Sequence, residues 1–126
     1  MLEFTIDLEP VTKKNSSRIV TNKRTGRPFV IPSERYKTYE ECAAPYIPKA
    51  YITGAVNVKA LYYMPTRRRV DLINLHSALH DVLVKCGCLI DDNSNIIVST
   101  DGSRVLYDKE KPRTEVTITE AHYGGI

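Results

Sequence analysis

Apolar positions along this chain repeat with two periods, and the switching between them sets the expected fold. Residues 2–9, LEFTIDLE, alternate apolar and polar, the two-residue repeat of a half-buried strand. Residues 10–32 replace that pattern with turn formers centred on NKRTGRP. Ile19, Val20, Phe29 and Val30 flank the turn, so a loose hairpin or a long loop is expected. Ser33 stands where an N-cap would open a helix over about 34–46, closed before Pro48. On it Tyr36, Tyr39, Ala43 and Tyr46 share one face, more often a core stripe than a base-stacking surface. Gly54 opens a strand that carries Val56, Val58, Leu61 and Tyr63 and stops at Pro65. Leu72, Leu75, Leu79, Val82 and Cys86 then recur at helical spacing, predicting an amphipathic helix from about Asp71 to Lys85 with Gly87 as its stop. Asn95–Thr100 and Arg104–Tyr107 read as strands around an Asp101-Gly102 turn, a hairpin signature. Thr114–Glu120 alternates as a last strand. The order β-α-β-α-β-β, with one further strand, implies an α+β fold: a mixed β-sheet packed by two helices. The 126 residues fit a single domain, 1–126.

Composition adds little until charge is placed along the chain. A hydrophobic content of 42% and a charged content of 26% suit a globular protein with its own core. No apolar stretch approaches the ~20 residues of a membrane helix, and the N-terminus lacks the look of a signal peptide. Cys42, Cys86 and Cys88 form an odd set without a CxxC pair, which reads as reduced thiols in a cytoplasmic protein. The net charge of +3 hides an uneven distribution. Residues 10–32 hold Lys13, Lys14, Arg18, Lys23, Arg24 and Arg27 and no acid, and Arg67, Arg68 and Arg69 form a second basic run. Such runs are often plain solvated loops. Two of them flanking an acidic centre fit a polyanion held over bound cations.

The acidic centre is Asp71, at the head of the second helix, with Asp91 and Asp92 in the loop after it. Asp71 also reads as an N-cap, and Asp-Asp-Asn as turn chemistry. If the chain after the helix returns, Asp92 would come to lie beside Asp71. Carboxylates gathered in this way hold hard cations such as Mg²⁺, and paired ions can activate water and stabilise a leaving oxygen in phosphoryl transfer. A rival is a structural zinc on His76 and His80, spaced i, i+4, with Cys86 and Cys88 nearby. The glutamate of an HExxH helix is missing there, Ser77 standing in its place.

The segment RRRVDLINLHSALHDVLVKCGCLIDD resembles the RusA family of Holliday junction resolvases. Family members carry arginines, Asp-x-Asp-Asn-Leu, a helix with Asp-x-Leu, a glycine and an Asp-Asp pair. Here Asp71, Asn74-Leu75, Asp81-x-Leu83, Gly87 and Asp91-Asp92 stand at those places. Lys13-Lys14-Asn15 and the closing Arg113-x-Glu115 are looser counterparts. The resemblance implies a homodimeric endodeoxyribonuclease, dependent on Mg²⁺ with Mn²⁺ as substitute, that introduces paired nicks in four-way DNA junctions during recombination and repair. It implies catalytic Asp71, Asp92 and Asp91, with Asp71 and Asp92 as metal ligands. Lys13, Lys14, Asn15 and Arg67–Arg69 would bind DNA, and Asn74, Asp81 and Lys85 would support the site. Two positions depart from the pattern: the second motif aspartate is Ile73, and the family's helix lysine is Ser77. They favour a second reading, a catalytically weakened junction or nucleic-acid binder of the same fold.

Overall fold

The computed structural model describes residues 1–13, 18–31 and 34–121. Lys14, Asn15 and the expected helix cap Ser33 lie outside the described residues. Along the chain run β1 (Leu2–Ile6), β2 (Arg18–Thr21), β3 (Pro28–Ile31), α1 (Glu34–Ala43), a 3₁₀ turn (Ala44–Tyr46), β4 (Val56–Met64), α2 (Leu72–Lys85), β5 (Ile97–Ser99), β6 (Arg104–Tyr107) and β7 (Arg113–Glu120). The α+β expectation holds, with two helices and a mixed five-stranded sheet.

Strand β4 is the centre of that sheet. It pairs antiparallel with β7, which pairs antiparallel with β1, while β5 and β6 both run parallel to β4 along its other edge. Val56, Val58, Ala60 and Tyr62 of β4 alternate inward. The register Val58↔Ile118, Ala60↔Val116 and Tyr62↔Thr114 puts the buried residues of β7 beside them. Leu75, Ala78, Leu79, Val82 and Leu83 of α2, with Tyr36, Tyr39 and Ala43 of α1, complete this core. Glu3, Thr5, Asn57, Lys59, Glu115, Thr117 and Thr119 occupy the alternate strand positions, a polar set suited to a solvated second face.

Helix α1 stops at Ala43, short of the expected end near 46. Pro45 explains this, because proline disfavours α geometry in the residue before it and cannot donate to a helical ladder. The basic hairpin is built as expected: β2 and β3 pair from Arg18↔Ile31 to Thr21↔Pro28. Its turn is closed by Gly26 N–H donating to Asn22 O at 2.8 Å, with Gly26 at φ 69°.

The Asp101-Gly102 hairpin does not form. Strands β5 and β6 continue the same edge of β4, pairing at Val56↔Ile97 and at Leu61↔Arg104, and not with each other. Side chains bridge the interruption between them. Asn57 Oδ1 accepts from Asp101 N–H at 2.8 Å and from the Ser99 hydroxyl at 2.6 Å, and Ser103 Oγ accepts from Ala60 N–H at 3.0 Å. Local turn chemistry was overridden by polar side chains of the neighbouring strand.

The direction of α2 fixes where the acidic residues can go. β4 and β5 are parallel, so the helix between them must travel back along the sheet. Asp71 therefore sits at the Met64 end of β4, and residues 86–96 gather at the Val56 end. Tyr51 N–H donates to Gly87 O at 3.0 Å, Ile90 N–H to Ile52 O at 3.0 Å, and Val56 N–H to Ile96 O at 2.7 Å.

Candidate active site

Asp71 caps α2. Its Oδ1 accepts from Ile73 N–H at 2.9 Å, in the extended conformation typical of an N-cap. The carboxylate is exposed, and its other oxygen has no hydrogen-bond partner among the described residues. Just before it, Arg67, Arg68 and Arg69 are all exposed. The Arg67 guanidinium lies 4.4 Å from the centre of the Tyr107 ring, a cation–π contact that holds the arginine loop against β6. Arg68 and Arg69 line a groove of about 380 Å³ together with Glu9, Thr12 and Arg35. The second arginine run and the entry to the first basic segment thus share one groove beside Asp71.

Asp91 and Asp92 lie at the other end of the helix. Asp91 builds its own loop: Oδ1 accepts from Asp92 N–H at 2.7 Å, and Oδ2 from Asn93 Nδ2 at 3.1 Å. The Asp92 N–H first, and the Asn93 amide after it, hold the Asp91 carboxyl below the ordinary carboxylate range. Asp91 is thereby committed to turn geometry, and Asp92 beside it is exposed. A helix of 14 residues is about 21 Å long, so Asp71 and Asp92 do not meet within one chain. The expectation that the returning loop would bring them together is corrected: it returns to the start of β4, whereas Asp71 stands beyond its end. Among the described residues no group of three His, Cys, Asp or Glu could hold a metal ion. One chain alone does not fit the expected Mg²⁺ site.

Of the residues expected to support the site, Asp81 and Lys85 come together elsewhere on α2, and Asn74 does not join them. Asp81 Oδ2 accepts from the Tyr36 hydroxyl at 2.7 Å and from Lys13 Nζ at 3.1 Å, and Lys85 Nζ stands at 3.6 Å. Lys85 in turn donates to Glu40 Oε2 at 3.0 Å. Burial pushes the Asp81 carboxyl up, but the bonds from Tyr36 and Lys13 and the charges of Lys13 and Lys85 outweigh it and hold the group low. The bond to Glu40 raises Lys85. Burial first, and Asp81 second, push the Tyr36 hydroxyl far up, so it stays a donor. This network ties the stem of the basic segment to the helix, so Lys13 anchors that segment as well as contributing charge. Asn74 is half-buried on the first turn of α2. The sequence places Tyr36 on a face that is more often core than base-stacking, and the structure buries it. Its hydroxyl reaches Asp81 across 45 positions, and no local pattern announces that contact.

His76 and His80 pack inward as stacked rings, centroids 5.3 Å apart and planes 10° apart. His76 Nδ1 is 2.7 Å from the Tyr62 hydroxyl. Burial lowers His76, and burial with the neighbouring His76 lowers His80 to about 4. The pair is a neutral packing element under the helix. Cys42, Cys86 and Cys88 are free thiols. On the outer part of β7, Arg113 spans Asp108 and Glu115, both at 2.8 Å, and stacks 3.8 Å from the Tyr63 ring centre. The Arg-x-Glu pair thus fastens the sheet.

A mixed sheet with helices over one face and an arginine-lined groove beside an exposed aspartate defines an α+β protein suited to hold a polyanion. The model of the endodeoxyribonuclease RusA family matches residues 7–119. The match covers nearly the whole chain, which belongs to that family. Among curated proteins none matches. No described helix is long and apolar enough to cross a membrane.

Proposed function

We propose that this protein is a structure-selective endodeoxyribonuclease that nicks four-way DNA junctions in pairs, in recombination and repair. The observation that carries the reading is the membership of an endodeoxyribonuclease family together with the groove lined by Arg68, Arg69 and Val70, just ahead of Asp71 in the chain. In this reading residues 1–126 form one nuclease domain, acting in the cytoplasm as a homodimer on branched DNA. Arg67, Arg68 and Arg69 bind backbone phosphates by a sequence-independent, salt-sensitive attraction. Lys13, Lys14 and Asn15 extend that contact, with Lys13 positioned through Asp81. Capping of α2 fixes the Asp71 carboxylate at the head of the helix, next in sequence to the groove residue Val70. The cofactor of this reading is Mg²⁺, with Mn²⁺ as substitute, and Asp71 and Asp92 are its proposed ligands. Within a single chain those two residues stand a helix length apart.

Asp92→Asn tests the proposal. It should keep the gel shift of a synthetic four-way junction and lose nicking in Mg²⁺. Cutting at the parental rate would remove Asp92 from the site. The second reading, a weakened binder, is favoured by Ile73, an isoleucine 73% exposed on the first turn after Asp71 where the family motif has an acid. A junction shifted but left whole by the parental protein, in both Mg²⁺ and Mn²⁺, would select that reading.

A further inference from the structure

The groove lined by Arg68 and Arg69 also receives a cation and an acid from elsewhere in the chain, Arg35 and Glu9. We infer, resting on the nuclease reading above, that Arg35 is a third phosphate-binding arginine of this groove. Glu9 occupies it in the free protein and gives it up to a DNA backbone phosphate.

Three segments far apart in the chain build the groove. Glu9 follows β1, Arg35 stands on the first turn of α1, and Arg68 and Arg69 belong to the loop between β4 and α2. All four are exposed side chains on an anchored backbone. Pro10, Val11 and Thr12 are buried directly after Glu9. Tyr36, next to Arg35, is 1% exposed, and its hydroxyl is fixed 2.7 Å from Asp81. Thr66 Oγ1 accepts from Arg68 N–H at 3.4 Å, which steadies the third segment. Cations gathered before the ligand arrives leave less ordering cost to binding.

Charge decides the ligand. Three guanidinium groups outnumber Glu9, which is the only acid among the described residues that line the groove. Glu9 Oε1 lies 3.0 Å from a terminal nitrogen of Arg35. The pair sits in water, with Arg35 63% and Glu9 45% exposed. Ion pairs this exposed are weak and screened by salt. A phosphodiester offers the Arg35 fork two oxygens sharing one negative charge, as the carboxylate does. A DNA strand supplies a run of phosphates to all three arginines, where Glu9 supplies one charge to one of them. The displaced carboxylate turns into solvent and leaves no buried partner behind.

Shape agrees. Val11, Met64, Val70 and Leu75 add apolar surface to the lining, suited to a sugar as well as a phosphate. The volume of about 380 Å³ falls among ligand sites of about 300–1,000 Å³, with room for more than a single ion. Glu9 thus stands in for the ligand, and a strand displaces it where a lone weak anion does not.

Binding of a fluorescent four-way DNA junction in EDTA, followed by anisotropy over a salt series, tests this without cleavage. Arg35→Gln should weaken binding and reduce the slope of log affinity against log salt by about 1, as for one lost phosphate contact. Arg35→Lys keeps the charge and should keep the slope. Glu9→Gln should tighten binding about two- to fivefold, the strength of an exposed ion pair. That gain should shrink in an Arg35→Gln background, because the competition is for that guanidinium. These changes touch exposed side chains, so thermal melts should stay close to the parental one. A folded Arg35→Gln protein with the parental slope overturns the inference, as does a Glu9→Gln protein that binds no more tightly. A junction bound with the expected slopes but never cut in Mg²⁺ sinks the nuclease reading alone. Cutting with unchanged slopes sinks the groove assignment alone, and a parental protein that binds no junction overturns both.

Discussion

Replacing His80 should remove most of the mild-acid sensitivity of this fold. His80 is lowered from 6.5 to about 4, chiefly by burial and then by the neighbouring His76. Its Nε2 is buried and, among the described residues, has no hydrogen-bond partner. As pH falls, the unfolded chain takes the proton first, near 6.5, and the folded chain resists until about 4, so stability falls through that window. Linkage over those two values gives a loss of about 2 kcal/mol between pH 7 and pH 5, and about 3 kcal/mol by pH 4. His76, also lowered by burial, acts in the same direction. Asp81 is held low and is lost only in stronger acid, so the interval from pH 7 to 5 isolates the histidines. His80→Leu keeps the packing volume and removes the proton site. Urea titrations at fixed ionic strength should show the parental midpoint dropping by about 1 M over that interval and the variant's dropping much less. Parallel losses in the two proteins, or a His80 ring titrating near 6.5 by NMR, would refute the reasoning.

Asp71→Ala should lose its N-cap and about 1 kcal/mol in chemical denaturation, whereas Asp71→Asn should keep the cap and the stability but abolish nicking. Asp81→Leu should cost about 1 kcal/mol in the same assay, a figure kept small because Asp81 and Lys13 are partly solvated, with Tyr36 and Lys13 losing their acceptor. Gly102→Ala places a side chain at φ 89° with its Cβ 3.1 Å from Lys59 Cδ, and thermal melts should register a cost of about 1 kcal/mol. Arg68→Ala should weaken junction binding across sequences, and reduce the slope of log affinity against log salt by about 1.

How much the sequence revealed depended on the range of each interaction. Asp71 as a helix start, the stripe from Leu72 to Val82 and the limits of β6 follow from neighbours within a turn or two, and the structure has them all. Asp101-Gly102 carries a true turn signal, with Gly102 at positive φ. What the turn joins was settled instead by Asn57, more than forty positions earlier. The Tyr36–Asp81–Lys13 network is likewise a product of tertiary packing between segments far apart in the chain. The acidic residues are candidates from the sequence, and their geometry is not legible there. The motif resemblance picks out Asp71, Asp91 and Asp92 as candidates, while only the parallel pairing of β4 and β5 shows that α2 must hold Asp71 and Asp92 apart.

The most direct measurement is strand scission of an end-labelled four-way junction beside a linear duplex of the same sequence, in Mg²⁺, resolved on a denaturing gel. Paired nicks in the junction, an intact duplex and no product from Asp71→Asn are the expected result. A junction left whole in Mg²⁺ and in Mn²⁺, or one cut equally well by Asp71→Asn, would contradict the account.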